Sequence, residues 1–169
     1  MKRTVKLCLI ISFLLPASLM AQMDSIRLMC PLNEATVVPP PKNVMQLDEP
    51  DLCIVLVSIP DTIVKAVTMG RVTNVVQSEE EQGKWEVVFF CRFKNKEYYF
   101  WYTGLSKPIV RKNDVLKAGQ ALGYIKPGEK IELLMYDFET PVDPLKYLDC
   151  KGVLKGSDPV ETKSTAQIR

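Results

Sequence analysis

Histidine is absent from all 169 residues. The chain therefore has no imidazole to serve as a base near neutral pH or as a nitrogen ligand for zinc. An excess of one charge is absent as well: 22 Lys and Arg face 20 Asp and Glu, and no Lys/Arg block concentrates the formal net charge of +2. Without a basic stripe there is no electrostatic footprint for nucleic acid, which excludes that class of partner. No apolar run reaches the roughly 20 residues that a spanning helix needs. Nor does any segment carry the apolar spacing of an amphipathic helix of useful length. What remains, 47% hydrophobic and 25% charged, is ordinary for one globular domain.

The chain opens with Lys2, Arg3 and Lys6, continues with an apolar run at 7–15 broken only by Ser12, and then reads Pro16-Ala17-Ser18-Leu19-Met20-Ala21. This is the layout of a secretory signal peptide, expected over residues 1–21 with cleavage after Ala21. The mature chain is then expected to be exported, periplasmic or secreted, with no membrane span after cleavage. Gln22 follows the junction, so no cysteine stands there for lipid attachment. Cys30, Cys53, Cys91 and Cys150 survive processing. In an oxidising compartment they can form disulfides in any of three pairings, or remain as buried thiols, a role that Cys91 within a strand-like run fits best.

Residues 22–51 lack any apolar period and contain Pro39-Pro40-Pro41, which reads as an extended N-terminal arm laid on a domain at 52–150. Residues 151–169 read as a mobile polar tail. Inside the domain the pattern is that of short strands. The run at 53–59 is apolar until Pro60-Asp61, and 63–67 and 71–76 flank Gly70. Residues 85–93 and 97–102 are rich in β-branched and aromatic side chains. The acidic run at 79–83 and Lys94-Asn95-Lys96 would close two hairpins, with their charges facing solvent. The fold class is all-β.

Two segments resemble the lysostaphin and LytM type of peptidoglycan endopeptidase. Thr62-Ile63-Val64-Lys65-Ala66-Val67-Thr68-Met69-Gly70-Arg71-Val72 is similar to that family's T-P-V-x-A-x-x-x-G-x-V strand and turn. Residues 110–123, which include Asn113-Asp114 and Ala118-Gly119-Gln120, resemble V-x-x-G-D-x-V-x-x-G-Q-x-I-G. There two tight turns bracket the short strand Val115-Leu116, expected to face the core. Biotinyl and lipoyl carriers share such segments but lack the third, Pro141-Val142-Asp143-Pro144-Leu145-Lys146-Tyr147-Leu148, which is similar to the P-V-D-P-x-x-Y-L ending of the peptidases. The resemblance implies an antiparallel β sandwich or half-barrel of the duplicated hybrid motif type, with Val64, Val72, Val115 and Leu122 in the core.

It also implies a zinc site, and here the chain departs from the pattern. The family's H-x-x-x-D segment falls on residues 51–56, so the histidine position is Asp51 or Leu52 and the aspartate position is Val55 or Leu56, depending on a one-residue gap. The histidine of Y-x-H-L-S falls on Gly104, and the zinc-binding member of the H-x-H strand falls on Leu134 of Glu132-Leu133-Leu134. Cys53, Glu132 and Asp137 lie near these positions, but apolar neighbours disfavour a divalent ion among them. No metal or other cofactor, and no catalysis, is expected. Trp101, Gly104 and Glu132 are the candidate binding residues of a groove inherited without its chemistry. It would take a peptidoglycan fragment or an envelope protein such as an amidase. The rival expectation is a structural envelope component whose groove is filled and whose N-terminal arm makes the contacts. Tyr98, Phe100 and Tyr102 should share one face of their strand, and Tyr99 and Trp101 the other. An exposed Trp101 would favour the binding module.

Overall fold

The computed structural model describes residues 25–39 and 52–150, together with strand residues 154–155. The segment expected as a signal peptide, Asp51, Pro40-Pro41 and most of the segment expected as a tail lie outside the described residues. Among the described residues no helix is long and apolar enough to cross a membrane.

The chain is built from short strands in chain order: β1 (Leu28–Met29), β2 (Ala35–Val38), β3 (Cys53–Val57), β4 (Ile63–Lys65), β5 (Gly70–Gln77), β6 (Trp85–Phe93) and β7 (Lys96–Leu105). There follow β8 (Lys107–Pro108), β9 (Val115–Leu116), β10 (Ala121–Tyr124), β11 (Lys130–Asp137), β12 (Thr140–Val142), β13 (Leu148–Asp149) and β14 (Leu154–Lys155). A large sheet runs in the order β14-β2-β3-β11-β7-β6-β5-β9, with β12 hairpinned onto β11. A small sheet of order β4-β10-β8 lies apart from it, and β1 pairs with β13 alone. The sheets are mainly antiparallel and are not closed into a barrel. Among the described residues the helical element is one 3-10 turn, Pro144–Lys146, whose entry is fixed by the Asp143 carboxylate accepting the N–H of Leu145 at 3.0 Å.

One buried cluster joins the sheets. Phe89, Phe100, Tyr102, Leu133 and Met135 of the large sheet pack with Val64 and Leu122 of the small one. Strand alternation explains the choice: on β7, Tyr98, Phe100 and Tyr102 are buried, while Tyr99 and Trp101 face the opposite side. Of the four expected core residues, Val64, Val72 and Leu122 are buried, but Val115 is 63% exposed and its neighbour Leu116 is buried instead. The expected face of this strand is thus corrected by one residue. β9 pairs only through Gly70↔Leu116 and Arg71↔Val115, so the pleat of β5 decides which side chain turns inward.

The described part of the segment expected as an arm is built into the fold. Ile26, Leu28, Leu32 and Ala35 are buried, β2 pairs with β3, and Cys30 is disulfide-bonded to Cys150. Leu154–Lys155, within the segment expected as a tail, pairs in parallel with β2. Cys91 is a buried thiol outside the disulfide, and burial pushes it up to about 11.

Candidate functional site

The candidate site lies on the face of the large sheet that does not join the core. Antiparallel register brings three strands together there: Glu132 of β11 stands between Val55 of β3 and Thr103 of β7, and Leu134 between Cys53 and Trp101. Lys130, Glu132, Leu134 and Tyr136 share this face because they alternate with the buried Ile131, Leu133 and Met135. Together with Trp101, Thr103 and Gly104 they line a groove of about 330 Å³, which Ser78, Glu80 and Glu81 of the β5–β6 loop border on one side.

Three of its contacts are polar and fixed. The Trp101 indole N–H donates to Glu86 Oε2 at 2.9 Å, which holds the ring edge-on to the carboxylate and leaves the side chain 39% exposed. Lys130 Nζ donates to Glu132 Oε1 at 3.0 Å and lies 3.4 Å from Glu81 Oε1. The hydrogen bond to Glu132 is the main cause that raises the Lys130 ammonium above its ordinary value. Just outside the groove, Glu129 binds Lys84 at 2.6 Å and accepts the Ser106 hydroxyl at 2.6 Å.

Gly104 is a backbone feature of this site. Its φ is +87°, in the left-handed region, and a Cβ built on it would lie 2.6 Å from the carbonyl oxygen of Lys130. β7 and β11 approach here so closely that glycine alone fits without a shift.

The structure brings Trp101, Gly104, Glu132 and Leu134 into one groove. Val55 and Leu56 separate: Val55 stands opposite Glu132 on the groove side of β3, though only 1% exposed, while Leu56 stands opposite Ile131 and belongs to the core cluster. Of the two residues expected at the aspartate position, Val55 is the one on the groove side. Of the two residues expected at the histidine position, Asp51 lies outside the described residues and Leu52 is half-buried. The acidic run expected to face solvent supplies Glu80 and Glu81 to the groove wall. Alternation from Glu132 points to Lys130 and Tyr136. Glu86 carries no such signal, because a bulge between Trp85 and Val87 sets its register to β7.

No protein-family model matches the sequence, and no curated protein matches it. Among solved structures the chain is similar to Csd3 of Helicobacter pylori, at 16% identity and a TM-score of 0.56 over 73% of this chain and 33% of that one. It is similar to lysostaphin of Staphylococcus simulans, at 20% identity and a TM-score of 0.55 over 79% of this chain and 58% of that one. It also matches a point-mutant form of the catalytic domain of the prophage-encoded M23 protein EnpA from Enterococcus faecalis, at 18% identity and a TM-score of 0.52. That match covers 67% of this chain and 91% of the EnpA domain. The fold is that of the lysostaphin-type M23 peptidases. This chain spans about a third of Csd3 and under two thirds of lysostaphin.

A hydrolytic zinc in such a fold requires three protein ligands and one open position. The residues at this face do not fit that requirement. Val55 and Leu134 offer no donor atom, Gly104 offers no side chain, and the Glu132 carboxylate is held by Lys130. Asp137 is ion-paired with Lys96. Among the described residues no three His, Cys, Asp or Glu side chains are grouped to hold a metal ion.

A second, larger cleft of about 400 Å³ lies where residues 27–33 meet Lys65 and Asp149. It holds none of the residues expected at the candidate binding site or at the degenerate ligand positions, whereas the 330 Å³ groove holds four of them, Trp101, Gly104, Glu132 and Leu134.

Proposed function

We propose that this chain is a zinc-free, non-catalytic binding module on a lysostaphin-type fold, exported to the periplasm or the exterior. It takes a cell-wall fragment or a partner envelope protein, such as an amidase, in the groove where a peptidase of this fold would carry its chemistry. The observation that supports this most is the half-exposed Trp101 ring in an open groove, beside Glu132 and over apolar Leu134. Aromatic walls with a few polar groups in a concavity are the usual setting for ligands.

The test is a pull-down from envelope extract run beside sedimentation with purified peptidoglycan. Trp101→Ala and, separately, Glu132→Lys should each weaken capture while leaving the far-ultraviolet circular dichroism unchanged. Variants that bind like the parent would refute the groove. Metal analysis of the purified chain should find no stoichiometric zinc, and about one tightly held zinc per chain would overturn the zinc-free reading.

The rival reading, a structural component with a filled groove, draws on buried Val55, which closes the β3 side of the face. Deleting the N-terminal segment cannot separate the two readings, because Ile26, Leu28, Leu32 and Ala35 belong to the core and the deletion would unfold the domain. Point changes on the groove face can.

A further inference from the structure

We propose that the occupant of the groove is a basic protein segment, with an Arg or Lys side chain laid over the Trp101 ring beside Glu86. This rests on the groove-binding reading above and narrows it to one ligand chemistry.

The first support is the charge balance of the lining. Four carboxylates, Glu80, Glu81, Glu86 and Glu132, face one ammonium, Lys130. Lys130 lies between Glu81 and Glu132 and is engaged by both, so its charge is neutralised at that end of the groove. Glu86 accepts a hydrogen bond from an uncharged indole, and neither Glu86 nor Glu80, which both line the groove, forms an ion pair among the described residues. A concave wall of low dielectric focuses the field of such uncompensated carboxylates and raises the local concentration of cations.

The second support is the indole itself. Its N–H is tied to Glu86, so the ring cannot turn its polar edge to a ligand, and what it offers is its face. The face of an indole is the strongest side-chain partner for a cation, and guanidinium groups stack on it while donating in plane to carboxylates. Glu86 at the ring edge offers such donors an acceptor, and Glu80 adds a further unpaired carboxylate to the lining.

The alternatives fit less well. A metal cation is disfavoured because no three acidic side chains among the described residues are grouped to bind one. A glycan strand gains nothing from uncompensated negative charge, and a carboxyl-bearing wall fragment is repelled by it. The volume of about 330 Å³ is near the lower end of the range for ligand sites, room for one or two side chains.

The experiment is calorimetric titration of the full chain with a capped peptide carrying two arginines spaced by alanine, and with its glutamate counterpart. The arginine peptide should bind, weaken as salt is raised to about 0.5 M, and outcompete the glutamate peptide. Glu86→Gln and Glu80→Gln should each weaken it by roughly fivefold. Glu86→Gln is the sharper variant, since its amide oxygen can still accept the Trp101 N–H while the charge is gone. Equal binding of the two peptides, no binding of the arginine peptide, or undiminished binding by the Gln variants would each overturn the proposal. Sedimentation with peptidoglycan separates this failure from that of the groove. If Trp101→Ala loses capture and the Gln variants keep it, the groove binds wall material and the cationic occupant is wrong. If Trp101→Ala changes neither assay, the groove reading itself has failed.

Discussion

Replacing Gly104 by Ala tests the packing of the site at one atom. Two costs add. A non-glycine residue held at a φ of +87° sits in the left-handed region, at about 1–2 kcal/mol. Its Cβ would then stand 2.6 Å from the Lys130 carbonyl oxygen, roughly 1 Å inside the usual non-bonded separation. That oxygen is backbone in the middle of the sheet, so β7 and β11 must part, a strain typically costing about 1–3 kcal/mol. The sum predicts a loss of about 2–5 kcal/mol. Gly83 and Gly128 supply internal controls, with φ of +79° and +80° and no atom within 4 Å of a built Cβ. Their Ala variants carry the first cost without the second. Equilibrium urea unfolding reads the difference as a shift of the midpoint at unchanged slope. If Gly104→Ala and Gly83→Ala agree within about 0.5 kcal/mol, the contact with Lys130 is not as described and the argument fails. The same geometry opposes restoring a histidine at this position. Gly104→His should destabilise at least as much as Gly104→Ala, even when combined with Val55→Asp and Leu134→His.

The Cys30–Cys150 disulfide closes a loop of sequence separation 120, so its removal by Cys30→Ala with Cys150→Ala should cost about 3–5 kcal/mol. A loss below about 1 kcal/mol in urea unfolding would contradict this. Tyr102→Phe removes the hydroxyl oxygen that accepts the buried Val67 N–H at 2.9 Å and should cost about 1–3 kcal/mol, with faster amide exchange at Val67. Unchanged exchange there would refute the role of that hydroxyl. Glu129 is held down to about 2, first by its hydrogen bond to Lys84 and then by the Ser106 hydroxyl. Its folded value lies below its unfolded one, so its contribution is complete above the ordinary 4.5 and is lost as pH falls towards 2. Glu129→Gln should therefore flatten the fall of melting temperature over that interval, and an unchanged profile would show that the pair with Lys84 contributes nothing.

Much of the fold is legible where a strand is long enough to display its period. Strand alternation divides the five consecutive aromatic residues of β7 into Tyr98, Phe100 and Tyr102 on one face and Tyr99 and Trp101 on the other, and the structure shows that the first set is the buried one. Val115-Leu116 has no period to read, and its partner strand decides its orientation. Glycine positions are legible while their reasons are not. Gly119 has a φ of +77°, as a turn requires, but Gly70 is needed because the Phe90 carbonyl oxygen would stand 2.2 Å from a Cβ, which is a matter of strand approach. Asn113 keeps the left-handed turn, with a φ of 77°, at the position where the family pattern has glycine. The strand β1 is hidden because its partner lies far along the chain: Leu28 pairs with Leu148, and the disulfide joins residues 120 apart. Glu86, the most informative neighbour of Trp101, depends on a bulge that local composition does not announce.

The division of the large sheet into two faces explains how such a site can change chemistry while the fold persists. Ile131, Leu133 and Met135 of β11 face the common core, where truncation of a side chain typically costs about 2–5 kcal/mol. Glu132 and Leu134, one residue away in each case, face the groove and hold nothing of that core together. A donor can therefore be exchanged for an apolar group at Leu134 without disturbing the register that holds Trp101. Gly104 breaks this independence. Its side of β7 meets the backbone of Lys130, so the groove floor and the spacing of the two central strands are set by one residue. The candidate site is thus changeable at its side chains and rigid at its backbone.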